Sequence, residues 1–233
     1  MIYESNGIAG SGKTTLIKKL FAELCPTNSN IEFVGVEKFR GANQKAPYKY
    51  MIKIHRFILP LYPRNFIFFL NCMKYFLSKS RGTPLSSNYE SYIALLYCVY
   101  IYDAYHKKND TIIVSDEGAL QAITAFSLTR EGDLRIIFTL LKMIRELDLK
   151  KVFICCNLSI NEAIKRMSLR DRHDSAIDNL SIAEQKAYLK MYQDRLQLIR
   201  AKVDRKLLIN IDMTEKNDTL VESIIEFTRR NFK

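Results

Sequence analysis

The stretch Gly7-Ile8-Ala9-Gly10-Ser11-Gly12-Lys13-Thr14-Thr15 gathers glycines, hydroxyls and one lysine close together. Glycines let a chain turn its amides inward, and inward-turned amides bind an anion. The order Gly7-x-x-x-x-Gly12-Lys13-Thr14 is the spacing of a phosphate-binding loop, or P-loop. In such a loop the lysine reaches the β- and γ-phosphates of a nucleoside triphosphate, and the hydroxyl of Thr14 serves a magnesium ion. Gly7, Gly10, Ser11, Gly12, Lys13, Thr14 and Thr15 are therefore the expected ATP-binding set. Far along the chain, Asp116 and Glu117 follow the apolar run Thr111–Ser115. A carboxylate at the end of a buried strand stands beside the metal, so Asp116 joins Thr14 as a candidate magnesium ligand, directly or through water. Neighbouring strand residues point to opposite faces. Glu117 therefore has two readings, a contact to the acceptor or a pairing with a nearby Lys or Arg.

A third group is cationic. In Glu162-Ala-Ile-Lys-Arg166-Met-Ser-Leu-Arg170-Asp-Arg172, the first two arginines stand four apart and share a helix face. Arg172 falls where a mobile lid begins. Guanidiniums converging on a phosphate chain neutralise charge as a phosphoryl group moves, and one good donor of this kind is worth about 3–4 kcal/mol of transition-state stabilisation. The competing reading is a solvated face paired with Glu162 or Asp174.

These groups need a scaffold, and the chain reads as one. Met1–Ser5, Ile31–Phe39, Thr111–Ser115, Lys150–Leu158 and Lys206–Met213 read as strands. Helices are expected over Thr14–Leu24, Ser91–Lys108, the run to about Leu149, Asn161–Leu169 and Thr219–Phe232. Another starts at Ser181, where Glu184 completes a capping-box pattern and Ile182, Leu189, Tyr192, Leu196, Ile199 and Val203 mark one apolar face. Strands alternating with helices argue for a parallel sheet covered on both faces. One domain over 1–233 is expected, with a mostly helical insertion at 38–89, broken at its prolines, and a lid at 166–180.

Composition narrows the setting. The formal charge is +11, and between Lys38 and Tyr89 there are ten Lys or Arg and no Asp or Glu. A field of one sign attracts an acidic partner. No uncharged run reaches the roughly 18–20 residues a bilayer span needs, because Pro60, Pro63, Arg64 and Lys74 interrupt Phe57–Leu77. Five cysteines without zinc-ligand spacing or a signal peptide point to a reducing, cytoplasmic compartment. Cys155 and Cys156 read as small buried strand residues.

Taken together, the loop, Glu37 after the second strand, the Ile112-Ile-Val-Ser-Asp-Glu-Gly118 run and the arginine stretch resemble the thymidylate kinase and deoxynucleoside kinase group. The resemblance implies a three-layer α/β/α fold with a five-stranded parallel sheet, and lid arginines closing over ATP. It makes Glu37 a candidate base or acceptor-binding residue and Arg40 a candidate contact to an acceptor phosphate. The sequence departs from that group in two places. Glu117 stands where the group carries arginine, and Asn88–Lys108 has tyrosines at 89, 92, 97, 100, 102 and 105 but no arginine.

The expected function is a kinase transferring the γ-phosphoryl of ATP-Mg²⁺ to a small, anionic acceptor, with Lys13, Asp116, Glu37, Arg166, Arg170 and Arg172 as catalytic residues and Glu37, Arg40 and Glu117 lining the acceptor. The acceptor would be a nucleoside monophosphate or another phosphorylated metabolite, with a nucleoside also in range. The alternative is a P-loop ATPase acting on nucleic acid or at a membrane surface, where Phe66–Leu70 could press on anionic lipid. A homodimer stays open. A GTPase switch is disfavoured, because neither Asn-Lys-x-Asp nor Asp-x-x-Gly at Asp116 is present.

Overall fold

The computed structural model describes residues 1–27, 30–34, 62–77, 99, 112–128, 134–146, 150–170 and 176–232. Within them the strands are β1 (Ile2–Asn6), β2 (Ile31–Val34), β3 (Ile112–Ser115), β4 (Lys151–Asn157) and β5 (Leu208–Asp212). They form one sheet of five, ordered β2-β3-β1-β4-β5, and every pairing is parallel. The helices are α1 (Lys13–Leu24), α2 (Pro63–Leu77), α3 (Ala119–Leu128), α4 (Leu134–Glu146), α5 (Ile160–Ser168), α6 (Ile182–Arg200) and α7 (Asn217–Asn231).

Position in the sheet explains the strand compositions. β1 lies between β3 and β4 and is buried along its whole length. β5 has a neighbour on one side only, and it alternates, with Ile209 and Ile211 inward and Asn210 and Asp212 outward. Successive β1 residues serve opposite layers. Tyr3 bonds Thr228 of α7, which packs on α1, whereas Glu4 reaches the first amide of α3.

α3 is buried nearly all round, wedged between the sheet, α4 and α6. Its polar residues are tied to backbone: Thr124 Oγ1 donates to Leu120 O at 2.6 Å, and Ser127 Oγ to Thr124 O at 2.7 Å. The capping box of α6 is complete, with Glu184 N donating to Ser181 Oγ at 3.3 Å and Ser181 N to Glu184 Oε2 at 2.8 Å. The expected apolar face holds at Leu189, Tyr192, Leu196 and Ile199. Ile182 departs from it, 64% exposed in the first turn, and Val203 lies beyond the helix end at Arg200. The buried stripe begins only where α6 meets its neighbours.

In the basic insertion, Pro63 opens α2 rather than breaking a helix, because a first-turn residue needs no amide hydrogen. α2 packs on α4, with Asn71 Nδ2 3.7 Å from Met143 Sδ, and turns Phe66, Ile67 and Leu70 outward. Among the described residues no helix is long and apolar enough to cross a membrane. Most of the expected helix at Ser91–Lys108 and the second half of the strand at Ile31–Phe39 lie outside the described residues.

Glu4 is a carboxyl buried in the core. Its Oε2 accepts Ala119 N at 2.6 Å, while Oε1 is buried with no hydrogen-bond partner among the described residues. Burial outweighs both that bond and the attraction of Lys151, and raises the carboxyl from an ordinary 4.5 to about 8. A carboxyl raised on folding binds its proton more tightly in the native state. It therefore favours the fold at low pH, and that contribution is lost as pH climbs from about 4.5 to 8. Urea unfolding across this window should show stability falling toward alkaline pH, and Glu4→Gln should flatten the profile.

Candidate functional site

A parallel sheet brings all its carboxyl ends to one edge. The order β2-β3-β1-β4-β5 makes successive connections depart to opposite sides of β1, which opens a crevice above β1, β3 and β4. The loop from Gly7 to Gly12 lies there, leading from β1 into α1.

Two glycines in the loop adopt left-handed backbone, Gly10 at φ 81° and Gly12 at φ 86°. A Cβ on Gly10 would also lie 2.5 Å from Ala163 O. Gly7 has a purely packing reason, since its Cβ would stand 2.5 Å from Cys156 O. Gly12 is the N-cap of α1, no side chain caps that end, and the first turn carries no acid. The helix thus presents amides and a positive dipole end to the loop. Ser11 is buried, and its hydroxyl has no hydrogen-bond partner among the described residues.

Lys13 folds over the loop, donating from Nζ to Gly7 O at 3.0 Å and Ile8 O at 2.9 Å. Burial pulls its ammonium below the ordinary lysine value; the charges of Glu117 and Asp116 oppose this and Arg170 adds to it. Thr14 and Thr15 are exposed at the start of α1. Thr14 Oγ1 lies 3.3 Å from Asp116 Oδ2, across 102 residues of sequence. Ser5 Oγ anchors the end of β3 by donating to Asp116 O at 2.6 Å. A hydroxyl and a carboxylate side by side at the loop suit magnesium, a hard cation that takes few protein oxygens and fills its shell with water and phosphate. Thr14 and Asp116 could therefore hold it.

β3 ends at Ser115, so Asp116 and Glu117 belong to the turn before α3. Strand alternation does not apply to them, and both carboxylates act on Lys13. Gly118 has its own reason, because a Cβ there would collide with the Glu4 carboxylate.

Arg166 lies on α5 and is half-buried. Its Nε pairs with Glu162 Oε1 at 3.3 Å and Nη2 donates to Met213 O at 3.0 Å. Nη1 stands 3.7 Å from where a Cβ on Gly12 would be. It therefore combines the Glu162 pairing with a place at the loop. Arg170 does not share its helix face as expected: α5 stops at Ser168, and Arg170 follows the turn, exposed. Its charge nevertheless reaches Lys13. Glu37, Arg40 and Arg172 lie outside the described residues, as do the tyrosines from 89 to 105. Of the expected lid, Arg166 is helical and 176–179 form a short 3₁₀ turn.

Two residues at the site went unnoticed in the sequence, Gln121 and Arg200. Gly7 N donates to Gln121 Oε1 at 3.1 Å. Arg200 Nε donates to Asn6 Oδ1 at 2.7 Å, Nη2 to Asn6 O at 3.0 Å and Nη1 to Asn157 Oδ1 at 3.0 Å. Each is an unremarkable helix residue in one dimension; only a polar side chain within a helix that is otherwise buried hinted at Gln121.

No family model matches the chain, and no curated protein matches it in sequence. Solved structures do resemble it. One is deoxyadenosine kinase from M. mycoides with the products dCMP and a flexible dCDP bound, at 13% identity and a TM-score of 0.54, over 99% of this chain and 100% of that one. The same kinase with dCTP bound aligns at 14% identity and a TM-score of 0.49, over 99% of this chain and 100% of that one. The first likeness shows the fold: this chain shares the overall fold of that kinase structure, and its own sheet is five-stranded and parallel.

Gly10→Ala forces both a strained φ and a clash with α5. It should lower the melting temperature and abolish nucleotide binding in a thermal-shift titration.

Proposed function

We propose that the protein is an ATP- and Mg²⁺-dependent phosphotransferase that moves a γ-phosphoryl group to a small acceptor. The observation that carries this reading is the approach of Thr14 Oγ1 to Asp116 Oδ2, 3.3 Å, beside the buried Lys13 and with Arg166 at Gly12. A metal-side pair, a phosphate-binding ammonium and a guanidinium meet at one loop, as phosphoryl transfer requires. The loop amides and Lys13 hold the β- and γ-phosphates. Magnesium, when bound, supplies charge neutralisation on those oxygens. Arg170, exposed beyond α5, is placed to swing in as charge builds on the transferring group. Glu117, whose charge acts on Lys13, is our candidate acceptor contact, with Glu37 and Arg40 as further ones.

The acceptor we favour is anionic, a nucleoside monophosphate or another phosphorylated metabolite, because 38–89 carries ten cations and no acid. The structural neighbour, titled a deoxyadenosine kinase, supports a nucleoside as the other acceptor in range. The exposed Phe66, Ile67 and Leu70 on α2 favour a second reading, an ATPase working against a lipid surface.

One experiment separates them. With ATP-Mg²⁺, ADP release should depend on nucleosides, nucleotides or phosphosugars and yield a phosphorylated product. Release stimulated only by anionic vesicles or by single-stranded DNA or RNA would replace the kinase with the ATPase. Lys13→Ala should abolish turnover in either case. Arg170→Ala should lower kcat about a hundredfold with little change in the KM for ATP. Equal losses in both would remove Arg170 from the transition state.

A further inference from the structure

The peptide unit joining Asn6 to Gly7 is planar, so its carbonyl and its amide hydrogen point in opposite directions. Each end is held by a different helix. The carbonyl, Asn6 O, accepts Arg200 Nη2 at 3.0 Å from the last residue of α6. The amide, Gly7 N, donates to Gln121 Oε1 at 3.1 Å from the first turn of α3. Arg200 also grips the Asn6 side chain through Nε at 2.7 Å and ties it to Asn157 at the end of β4 through Nη1 at 3.0 Å. The two helices are themselves linked, because Tyr192 Oη of α6 donates to Gln121 O at 3.4 Å.

This peptide is the root of the phosphate loop. It directly precedes the Gly7–Ile8 peptide, whose carbonyl Gly7 O is one of the two that hold Lys13 Nζ. Gly7 also packs closely on β4, where a Cβ would stand 2.5 Å from Cys156 O. The three acceptors of Arg200 are all neutral oxygens. Its charge is thus not cancelled by them and adds to the positive potential at the loop.

We propose that Arg200 and Gln121 are positioning residues that clamp the Asn6–Gly7 peptide and so preset the loop for the triphosphate. Neither touches the reacting atoms. The clamp acts before the nucleotide arrives, so it sets affinity for ATP and leaves the chemical step alone. The inference rests on reading residues 7–12 as a nucleotide loop.

The test uses the full chain and a fluorescent N-methylanthraniloyl derivative of ATP with magnesium, titrated directly so that binding is read without turnover. Arg200→Ala and Gln121→Met should each weaken binding about tenfold, the size expected for losing a buried hydrogen bond to a fixed group. The double variant should be less than a hundredfold weaker, because both act on one peptide. Arg200→Lys keeps the charge and loses the fork, and should fall between wild type and Arg200→Ala. Urea midpoints identify any variant that fails to fold, and the near-isosteric Gln121→Met keeps the test open if Arg200→Ala does. At saturating ATP, kcat should stay within about twofold of wild type. Wild-type binding with no loss in the variants overturns the clamp alone. So does Arg200→Lys binding as wild type, or a fall in kcat at unchanged affinity. A wild-type chain that binds no nucleotide overturns the loop reading and the clamp with it.

Discussion

A tight loop between a strand and a helix cannot place all its amides in the ladder of either, and the site is built around that constraint. Gly7 N turns instead to Gln121 and Ser11 N to Ile8 O, so the turn is held in shape by its surroundings. Left-handed Gly10 and Gly12 shape it, an uncapped helix start extends it, and the buried Lys13 closes it with bonds to Gly7 O and Ile8 O. The surrounding packing resists collapse at two further points: Cys156 against Gly7 and Ala163 against Gly10.

The same constraint explains why the carboxylates sit where they do. Parallel pairing places the ends of β1 and β3 side by side, so a residue just past β3 falls next to the first turn of α1. Ser5 fixes that junction through Asp116 O, leaving the side chain of Asp116 turned to Thr14. The acids oppose the drop that burial imposes on Lys13 and so favour its charged form.

Much of this was legible in one dimension, and the physical reason differs by feature. The loop could be read because backbone geometry dictates glycine at Gly10 and Gly12 whatever surrounds them. The sheet could be read because strands buried on both faces are continuous apolar runs, as in Cys155–Cys156 and Ile112–Val114. The capping box at Ser181 is a local reciprocal bond and carries a local signature. Arg200 and Gln121 could not be read, because their partners lie 194 and 114 residues away and nothing nearby in sequence marks them. Strand alternation could not decide where Asp116 and Glu117 face, because β3 ends at Ser115 and both lie in the turn beyond it. The shared face of Arg166 and Arg170 failed because α5 closes at Ser168, one residue before the expected end and two before Arg170. Gly118 could not be read either, because its reason, the Glu4 carboxylate, comes from β1, far away in sequence.

The long separations along the chain have a consequence for folding. Thr14 with Asp116, Gly7 with Gln121 and Asn6 with Arg200 join segments that meet only after large loops have closed. Such closures are entropically costly and slow, so a partly folded chain holds no version of the site. Any ligand seated on this loop would bind only molecules that have finished folding, and by mass action would draw the population toward them. The frame around the loop is therefore complete only once Asn6, Gly7, Gln121 and Arg200, drawn from three distant stretches of the chain, have met.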